Sequence, residues 1–410
     1  SRSFRPKTFD EIIGQGNTVD AVRKAIIQKK VPPAYLFYGP RGTGKTTLAR
    51  VLARALNCKN FLKESNPCTE CSNCTDIDKA SSLSFLEVDG ASNRGIDDVR
   101  RLIESVPYSS GGLYKIYVID EAHMLTKEAF NVLLKTLEEP PLEVVFILVT
   151  TEKDKIPEPI ASRCQHMCFK SVSKDSMLAR LSMILSKVGK QVPNSILEII
   201  YRISEGCIRD AESLLDQILL LDEDLSEDRV YDWLGVPSDE IFININSLIA
   251  ADLPVEQKIS KGLSELRALF KRGVSPTMFF NFAMYHYRSL LGLKFGLEDP
   301  DKMQEGLVSS INLFSIYEYE GILNALITMY EHSKNGDFGD LLAELFLIRL
   351  VRKGFGIEDQ EVDHSKAKSK SEDREEESFE PVDDKVVENR VQFMCSVLEG
   401  QVISGDQKVS

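Results

Sequence analysis

The sequence has no stretch of about 18 uninterrupted apolar residues, the length a helix needs to cross a bilayer, and no basic, apolar, small-residue run opens it. Membrane-spanning and exported classes are set aside, and a cytoplasmic location is expected. Net basic charge is absent too: 50 Lys and Arg stand against 63 Asp and Glu, a formal charge of −13. A protein that coats nucleic acid over its whole surface needs a concentrated cationic face, so any such contact is expected to be local. Between residues 358 and 385 twelve Asp/Glu meet five Lys/Arg, so much of the negative charge comes from one short segment. No internal repeat is present. A spread disulfide framework is missing as well, because four of the eight cysteines crowd into residues 58–74. Reduced thiols or a metal site fit that crowding better.

What is there is a multidomain globular pattern. The 410 residues are 43% hydrophobic and 28% charged, enough to bury cores in two to four domains. Residues 35–164 alternate short apolar runs with amphipathic stretches, the signature of a mostly parallel α/β sheet. Tyr35-Leu36-Phe37-Tyr38, Phe85-Leu86-Glu87-Val88, Lys115-Ile116-Tyr117-Val118-Ile119 and Val144-Val145-Phe146-Ile147-Leu148-Val149 read as four buried strands. Residues 126–139 read as a helix stopped by Pro140-Pro141. After Phe169 strand signals fade and Gly and Pro breaks are few. The expected division is an α/β domain at 1–170, a small helical domain at 171–236 and an all-α domain at 237–355, where apolar positions recur at helical spacing through 278–293, 307–333 and 341–351. An acidic, solvated linker at 356–384 and a tail at 385–410 with a short amphipathic helix over 385–398 follow.

Gly39-Pro40-Arg41-Gly42-Thr43-Gly44-Lys45-Thr46 matches the phosphate-binding loop at every fixed position, between a strand and a helix. Its glycines let backbone N–H groups turn inward around phosphates, the helix that follows directs its positive end at them, and Lys45 supplies a mobile charge. Thr46 is expected to ligate magnesium, and the following Thr47 is grouped with the loop. Val118-Ile119-Asp120-Glu121 is a hydrophobic strand ending in two carboxylates. Asp120 is expected to hold the magnesium through its water shell, and Glu121 to act as general base on an attacking water. Together they predict hydrolysis as well as binding.

Around these motifs the sequence resembles the clamp-loader branch of the AAA+ ATPases. The resemblance rests on Phe4-Arg5-Pro6-Lys7-Thr8-Phe9-Asp10-Glu11-Ile12-Ile13-Gly14-Gln15, on Asp120-Glu121-Ala122-His123-Met124-Leu125 followed by the segment 130–140, and on Ser162-Arg163-Cys164. It covers residues 3–220 with specific motifs and reaches more loosely to about 355. It implies an AAA+ ATP-binding domain, a helical lid and a helical collar through which subunits oligomerise. It also implies roles for single residues. Arg163 would be an arginine finger acting on the neighbouring subunit's ATP, where a planar guanidinium suits the charge developing on a transferring phosphoryl group; without the family it is a surface arginine. Thr151 would sense the terminal phosphate, with Thr150 as the near alternative. Arg209, in Glu205-Gly206-Cys207-Ile208-Arg209-Asp210-Ala211, would be a second sensor on the lid. Arg5 and Pro6 would pack near the adenine.

Cys58-x9-Cys68-x2-Cys71-x2-Cys74 has spacing suited to a tetrahedral zinc ion in a structural site. A disulfide pair is the alternative. In the family this insert is similar to that of the bacterial gamma/tau subunits and their delta-prime relatives, and the intact phosphate loop favours gamma/tau. Cys164, Cys168, Cys207 and Cys395 lack metal spacing and read as small packing residues. The resemblance further implies delta and delta-prime partners, other copies of the chain, the beta sliding clamp and primer-template DNA, with Ser92, Asn93, Arg94 and Lys135 in positions suited to the DNA or simply to solvent. With only a linker and one helix beyond the collar, the chain resembles the short form, so a tether to the polymerase core is weakly supported. No polymerase or exonuclease carboxylate set is visible. The rival classes are a branch-migration motor acting alone, which predicts a C-terminal winged helix not seen here, and a non-catalytic ATP-binding scaffold, which leaves Glu121 and Arg163 without purpose.

Overall fold

The computed structural model describes residues 4–61, 65–78, 84–104, 114–221, 226–297, 305–334, 336 and 338–355; the expected acidic linker, tail helix and Cys395 lie outside them. The chain divides into two compact units, Ser1–Glu227 and Asp228–Ser410. Among the described residues no helix is long and apolar enough to cross a membrane.

The first unit is built on five parallel strands, β1 (Ala34–Tyr38), β2 (Phe85–Asp89), β3 (Lys115–Asp120), β4 (Val144–Thr150) and β5 (Gln165–Cys168), in the order β2-β3-β4-β1-β5. Alternate residues of β1, β3 and β4 enter two different cores, as the period of two requires. One core joins Tyr35, Phe37, Val118 and Ile147 to the helices α1 (Gly16–Ile27), α2 (Lys45–Asn57) and α3 (Ser72–Asp78). The other joins Leu36, Tyr117, Phe146 and Leu148 to α4 (Ile96–Glu104), α5 (Lys127–Glu138) and α6 (Glu158–Ala161). Coverage on both faces is why the central strands read as unbroken apolar runs. In α2, Leu48, Val51 and Leu52 are fully buried, and each contributes about 1.5–3 kcal/mol by leaving water.

Two expectations are corrected. The sheet has a fifth strand, β5, whose Gln-His-Met-Cys sequence carries no apolar run because it is an edge strand that buries only Met167. The expected burial of β2 fails for the same reason: it closes the opposite edge, and Leu86 is 42% exposed. The 126–139 helix forms as α5, with the Thr126 hydroxyl accepting from the Ala129 N–H at its start.

Three further helices, α7 (Lys174–Val188), α8 (Asn194–Ser204) and α9 (Ile208–Ile218), complete the first unit. The second unit is helical: α10 (Glu227–Leu234), α11 (Asp239–Ala250), α12 (Val255–Lys271), α13 (Pro276–Lys294), α14 (Glu305–Ser309), α15 (Ile316–Lys334) and α16 (Gly339–Val351). The unit boundary thus precedes most of α10, which the sequence reading groups with the small helical domain. An aromatic core of Phe242, Phe279, Phe280, Tyr287 and Phe346 sits among α11, α13 and α16. The apolar run at 307–333 spans two helices, α14 and α15. Ser315 and Glu318 cap α15 reciprocally, the Ser315 N–H donating to Glu318 Oε2 at 2.7 Å and the Glu318 N–H to Ser315 Oγ at 3.2 Å.

Candidate functional site: a phosphate-loop cleft

The loop after β1 leaves the carboxyl edge of the sheet, where α/β folds place ligands. Gly42 adopts φ +70°, and a Cβ there would lie 2.0 Å from Cys207 Sγ, so both backbone and space demand glycine. Gly44, at φ +99°, leads into α2 with no side-chain cap, which leaves first-turn N–H groups for an anion. Lys45 is 7% exposed. Its ammonium donates to the carbonyls of Gly39 and Pro40 at 2.7 and 2.6 Å, and burial lowers its pKa, an effect opposed by the nearby Glu121 and Asp120.

The cleft above the loop holds about 870 Å³. Arg5, Pro6, Arg41, Gly42, Thr43, Gly44, Lys45, Thr46, Thr47, Asp120, Glu121, Thr151 and Arg209 all line it, together with Ile12, Ile13, Arg50, Arg54, Arg180 and Glu212. Eight basic and five acidic side chains make up the walls, so a chain of net negative charge presents an electropositive hollow. Arg5 is crowded by Arg50, and burial first, then this neighbour, lowers its pKa.

The two carboxylates stand at the end of β3. The Thr46 hydroxyl donates to Asp120 Oδ2 at 2.8 Å, and Asp120 Oδ1 accepts the Glu121 N–H at 2.9 Å. A hydroxyl and a carboxylate oxygen side by side are hard oxygen donors of the kind magnesium takes. Glu121 occupies the left-handed region at φ +49°. The threonine alternatives separate: Thr151 lines the cleft, whereas Thr150 is fully buried, with its hydroxyl 3.1 Å from His123 Nδ1 and accepting the Glu152 N–H at 3.0 Å.

The helices after residue 171 close the cleft from the other side. The Ile208 N–H, first in α9, donates to the Gly42 carbonyl at 3.1 Å, so α9 rests on the loop and carries Arg209 to the cleft wall. Arg180 and Glu212 form a buried pair at 3.0 Å, 3% and 9% exposed, and Arg180 also donates to the Phe4 carbonyl. Burial raises the Glu212 pKa despite Arg180. Sequence reasoning missed this pair, as it missed Gln15, which donates to the Lys170 carbonyl at 2.7 Å and accepts the Lys170 N–H at 3.1 Å. Both join residues whose partners are far away in the chain.

Other expected residues lie outside the cleft. Arg163 is at the surface, bonded to Glu138 Oε1 at 3.0 Å and to the Pro159 carbonyl at 2.9 Å. Ser92 and Asn93 fold back on Asp89, the Ser92 hydroxyl donating to Oδ2 at 2.6 Å and the Asn93 amide to the carbonyl at 3.1 Å. Arg94 and Lys135 are exposed.

The sulfur atoms of Cys58, Cys68, Cys71 and Cys74 all lie within 4.8 Å of one another. Tetrahedral zinc with bonds of about 2.3 Å sets sulfurs about 3.8 Å apart, so the four fit that ion. Backbone N–H groups of Asn60 and Cys68 donate to Cys58 Sγ at 3.4 and 3.2 Å, and that of Cys71 to Cys68 Sγ at 3.4 Å. Hydrogen bonding from Cys71 leads in lowering the Cys68 pKa to about 6, whereas burial raises that of Cys74. No disulfide joins the seven described cysteines, and burial raises the Cys164 pKa to about 12 and raises that of Cys207. Asn57, at the end of α2, donates to the Tyr114 carbonyl at 3.0 Å, accepts the Tyr114 N–H at 2.9 Å, and takes the Asn73 amide on its own carbonyl at 2.8 Å.

A parallel sheet with the loop at its carboxyl edge, paired carboxylates at the end of β3 two strands away and helices closing the cleft above them defines a phosphate-loop α/β fold of the nucleotide-binding class. The chain is 38% identical to DNA polymerase III subunit tau of Bacillus subtilis over 332 residues, 79% of this chain and 58% of that one, and 39% identical to subunit gamma of Buchnera aphidicola over 256 residues, 62% of this chain and 69% of that one. It belongs to the gamma/tau family of DNA polymerase III subunits. A family model described as DNA polymerase III, delta subunit matches residues 14–173. The RuvB Holliday junction branch migration motor of Thermotoga maritima shares 18% identity over 63% of this chain and 85% of that one at a TM-score of 0.44, a likeness too slight to argue from. The chain spans little more than half the length of the Bacillus subtilis subunit.

Proposed function

We propose that the chain binds and hydrolyses ATP as a subunit of a bacterial clamp loader, and that several copies join delta and delta-prime subunits to open the beta clamp and set it on primer-template DNA. The observation that carries this reading is the meeting of Lys45 and Thr46 from the start of α2, Asp120 and Glu121 from the end of β3 and Arg209 from α9 around one electropositive cleft. On binding ATP, Lys45 exchanges its loop carbonyls for outer-phosphate oxygens, and the N–H groups at the start of α2 take the remaining charge. Thr46 and Asp120 would hold magnesium, which supplies charge neutralisation on the phosphate oxygens. Glu121 accepts a proton from the water whose oxygen bonds to the terminal phosphorus as the bridging P–O bond breaks, leaving ADP and phosphate. Thr151 orients that water or the phosphate, Arg209 reports the phosphate to the lid, and Arg5 and Pro6 face the base. Arg163, standing outside its own cleft, serves the neighbouring subunit's ATP. Zinc on the four cysteines is structural, with no open position for chemistry. Ser92, Asn93, Arg94 and Lys135 are proposed to follow the DNA backbone.

The test is ATPase activity of the full-length chain reconstituted with delta and delta-prime subunits, with and without clamp and primed DNA, for wild type and Arg163→Ala. A many-fold rise with clamp and DNA, lost in Arg163→Ala while ATP still binds, supports the reading. Equal hydrolysis by the lone chain, indifferent to clamp and partners, rejects it in favour of an independent motor.

A further inference from the structure

We propose that His123 is a positioning residue that couples the Glu121 carboxylate to the strand end carrying Thr150 and Thr151, so that the base is set only when the phosphate-facing threonine is. The proposal rests on the reading of Glu121 as the base. The His123 side chain is 8% exposed, and its two nitrogens address three groups. Nε2 lies 3.1 Å from Glu152 Oε1; an ionised carboxylate only accepts, so Nε2 carries a proton. Nδ1 lies 3.1 Å from the Thr150 hydroxyl and 3.5 Å from Glu121 Oε2. The same hydroxyl accepts the Glu152 N–H at 3.0 Å, and Glu152 is held from outside by Lys155 at 2.8 Å. The ring is therefore fixed on the 150–152 turn by Thr150 and Glu152, and its remaining contact is the carboxylate that lines the cleft. Thr151 lies between the two residues that grip the ring and itself lines the cleft. A displacement of Thr151 by phosphate moves the turn, the turn moves the ring, and the ring changes the room left to the Glu121 carboxylate.

The experiment uses the full-length chain, assembled with delta and delta-prime subunits, and follows kcat, the affinity of a fluorescent ATP analogue and thermal unfolding. His123→Ala is expected to lower kcat about ten- to hundred-fold, the scale of loss that a misplacement of about 1 Å brings, while analogue affinity is kept. His123→Asn puts an amide near the Nδ1 position and restores most of the rate; His123→Gln reaches towards the Nε2 position and restores less. In single turnovers, adding His123→Ala to Glu121→Gln brings no further loss. An unchanged kcat in His123→Ala, equal restoration by Asn and Gln, or a full additional loss in the Glu121→Gln background overturns the proposal. If the Ala variant does not fold, the contrast between Asn and Gln decides alone. Wild-type hydrolysis by Glu121→Gln overturns the base assignment itself, and His123's role with it.

Discussion

The Thr46 hydroxyl and the Asp120 carboxylate meet at 2.8 Å, joining the first turn of the loop helix to a strand end 74 residues later. This contact is where the two halves of the nucleotide motif become one site. Asp120→Asn removes the charge but keeps the shape. Magnesium-dependent hydrolysis is expected to fall about 10–100-fold, the factor carried by about 1.5–3 kcal/mol of charge-assisted bonding. Protein stability should be nearly unchanged by thermal melting, and a loss of folding instead of rate would contradict the assignment.

Gly42→Ala is expected to be far more disruptive than a methyl group implies. It meets Cys207 Sγ at 2.0 Å and forces φ +70° on an alanine. Backbone strain alone costs about 1–3 kcal/mol, and the clash pushes α9 off the loop. Urea unfolding measures the loss, and Cys207→Gly in the same chain should recover the steric part but not the backbone part.

The Arg180–Glu212 pair is buried on both sides. Glu212→Ala strands a guanidinium and is expected to cost about 3–5 kcal/mol. The pH dependence has a definite sign. Burial raises the folded-state pKa of Glu212, so this group favours the folded chain most below its unfolded value, and that contribution drains away as pH rises through the raised folded value. Glu212→Gln should flatten the stability–pH curve on the mildly acidic side of neutrality; a curve identical to wild type there rules out Glu212 as its source.

Removal of zinc should reach beyond the insert, because Cys58 and Cys74 belong to the same core as Tyr35 and Phe37. Purified chain is expected to carry equimolar zinc, measured by release to a colorimetric chelator. Cys68→Ser with Cys71→Ser should abolish it and lower the melting temperature of the first unit. Metal-free wild type with full stability would refute a structural role.

The loop and the strand-end carboxylates were readable because each is a contiguous pattern whose chemistry is local to it. The central strands were readable because burial on two faces leaves an apolar run. The edges were not: β5 buries only Met167, and nothing in Gln-His-Met-Cys announces a strand. The start of α15 has its own signal in the sequence, Ser315 three residues ahead of Glu318. His123, Glu152, Arg180 and Gln15 carry ordinary side chains whose partners lie 27 to 155 positions away, or, for Glu152 and His123, on different elements brought together only by the sheet. Their roles come from folding, and no window along the chain contains them.

Asn57 clasps the strand residue before β3 from both of its backbone groups, while its own carbonyl takes Asn73 of the cysteine insert. The grip falls at the rear end of the 13-residue α2, about 20 Å from the phosphates at 1.5 Å per residue. Asn57 therefore splints helix and strand to each other at their far ends, with the cysteine insert braced against the splint through Asn73, opposite the front ends that bear Thr46 and Asp120.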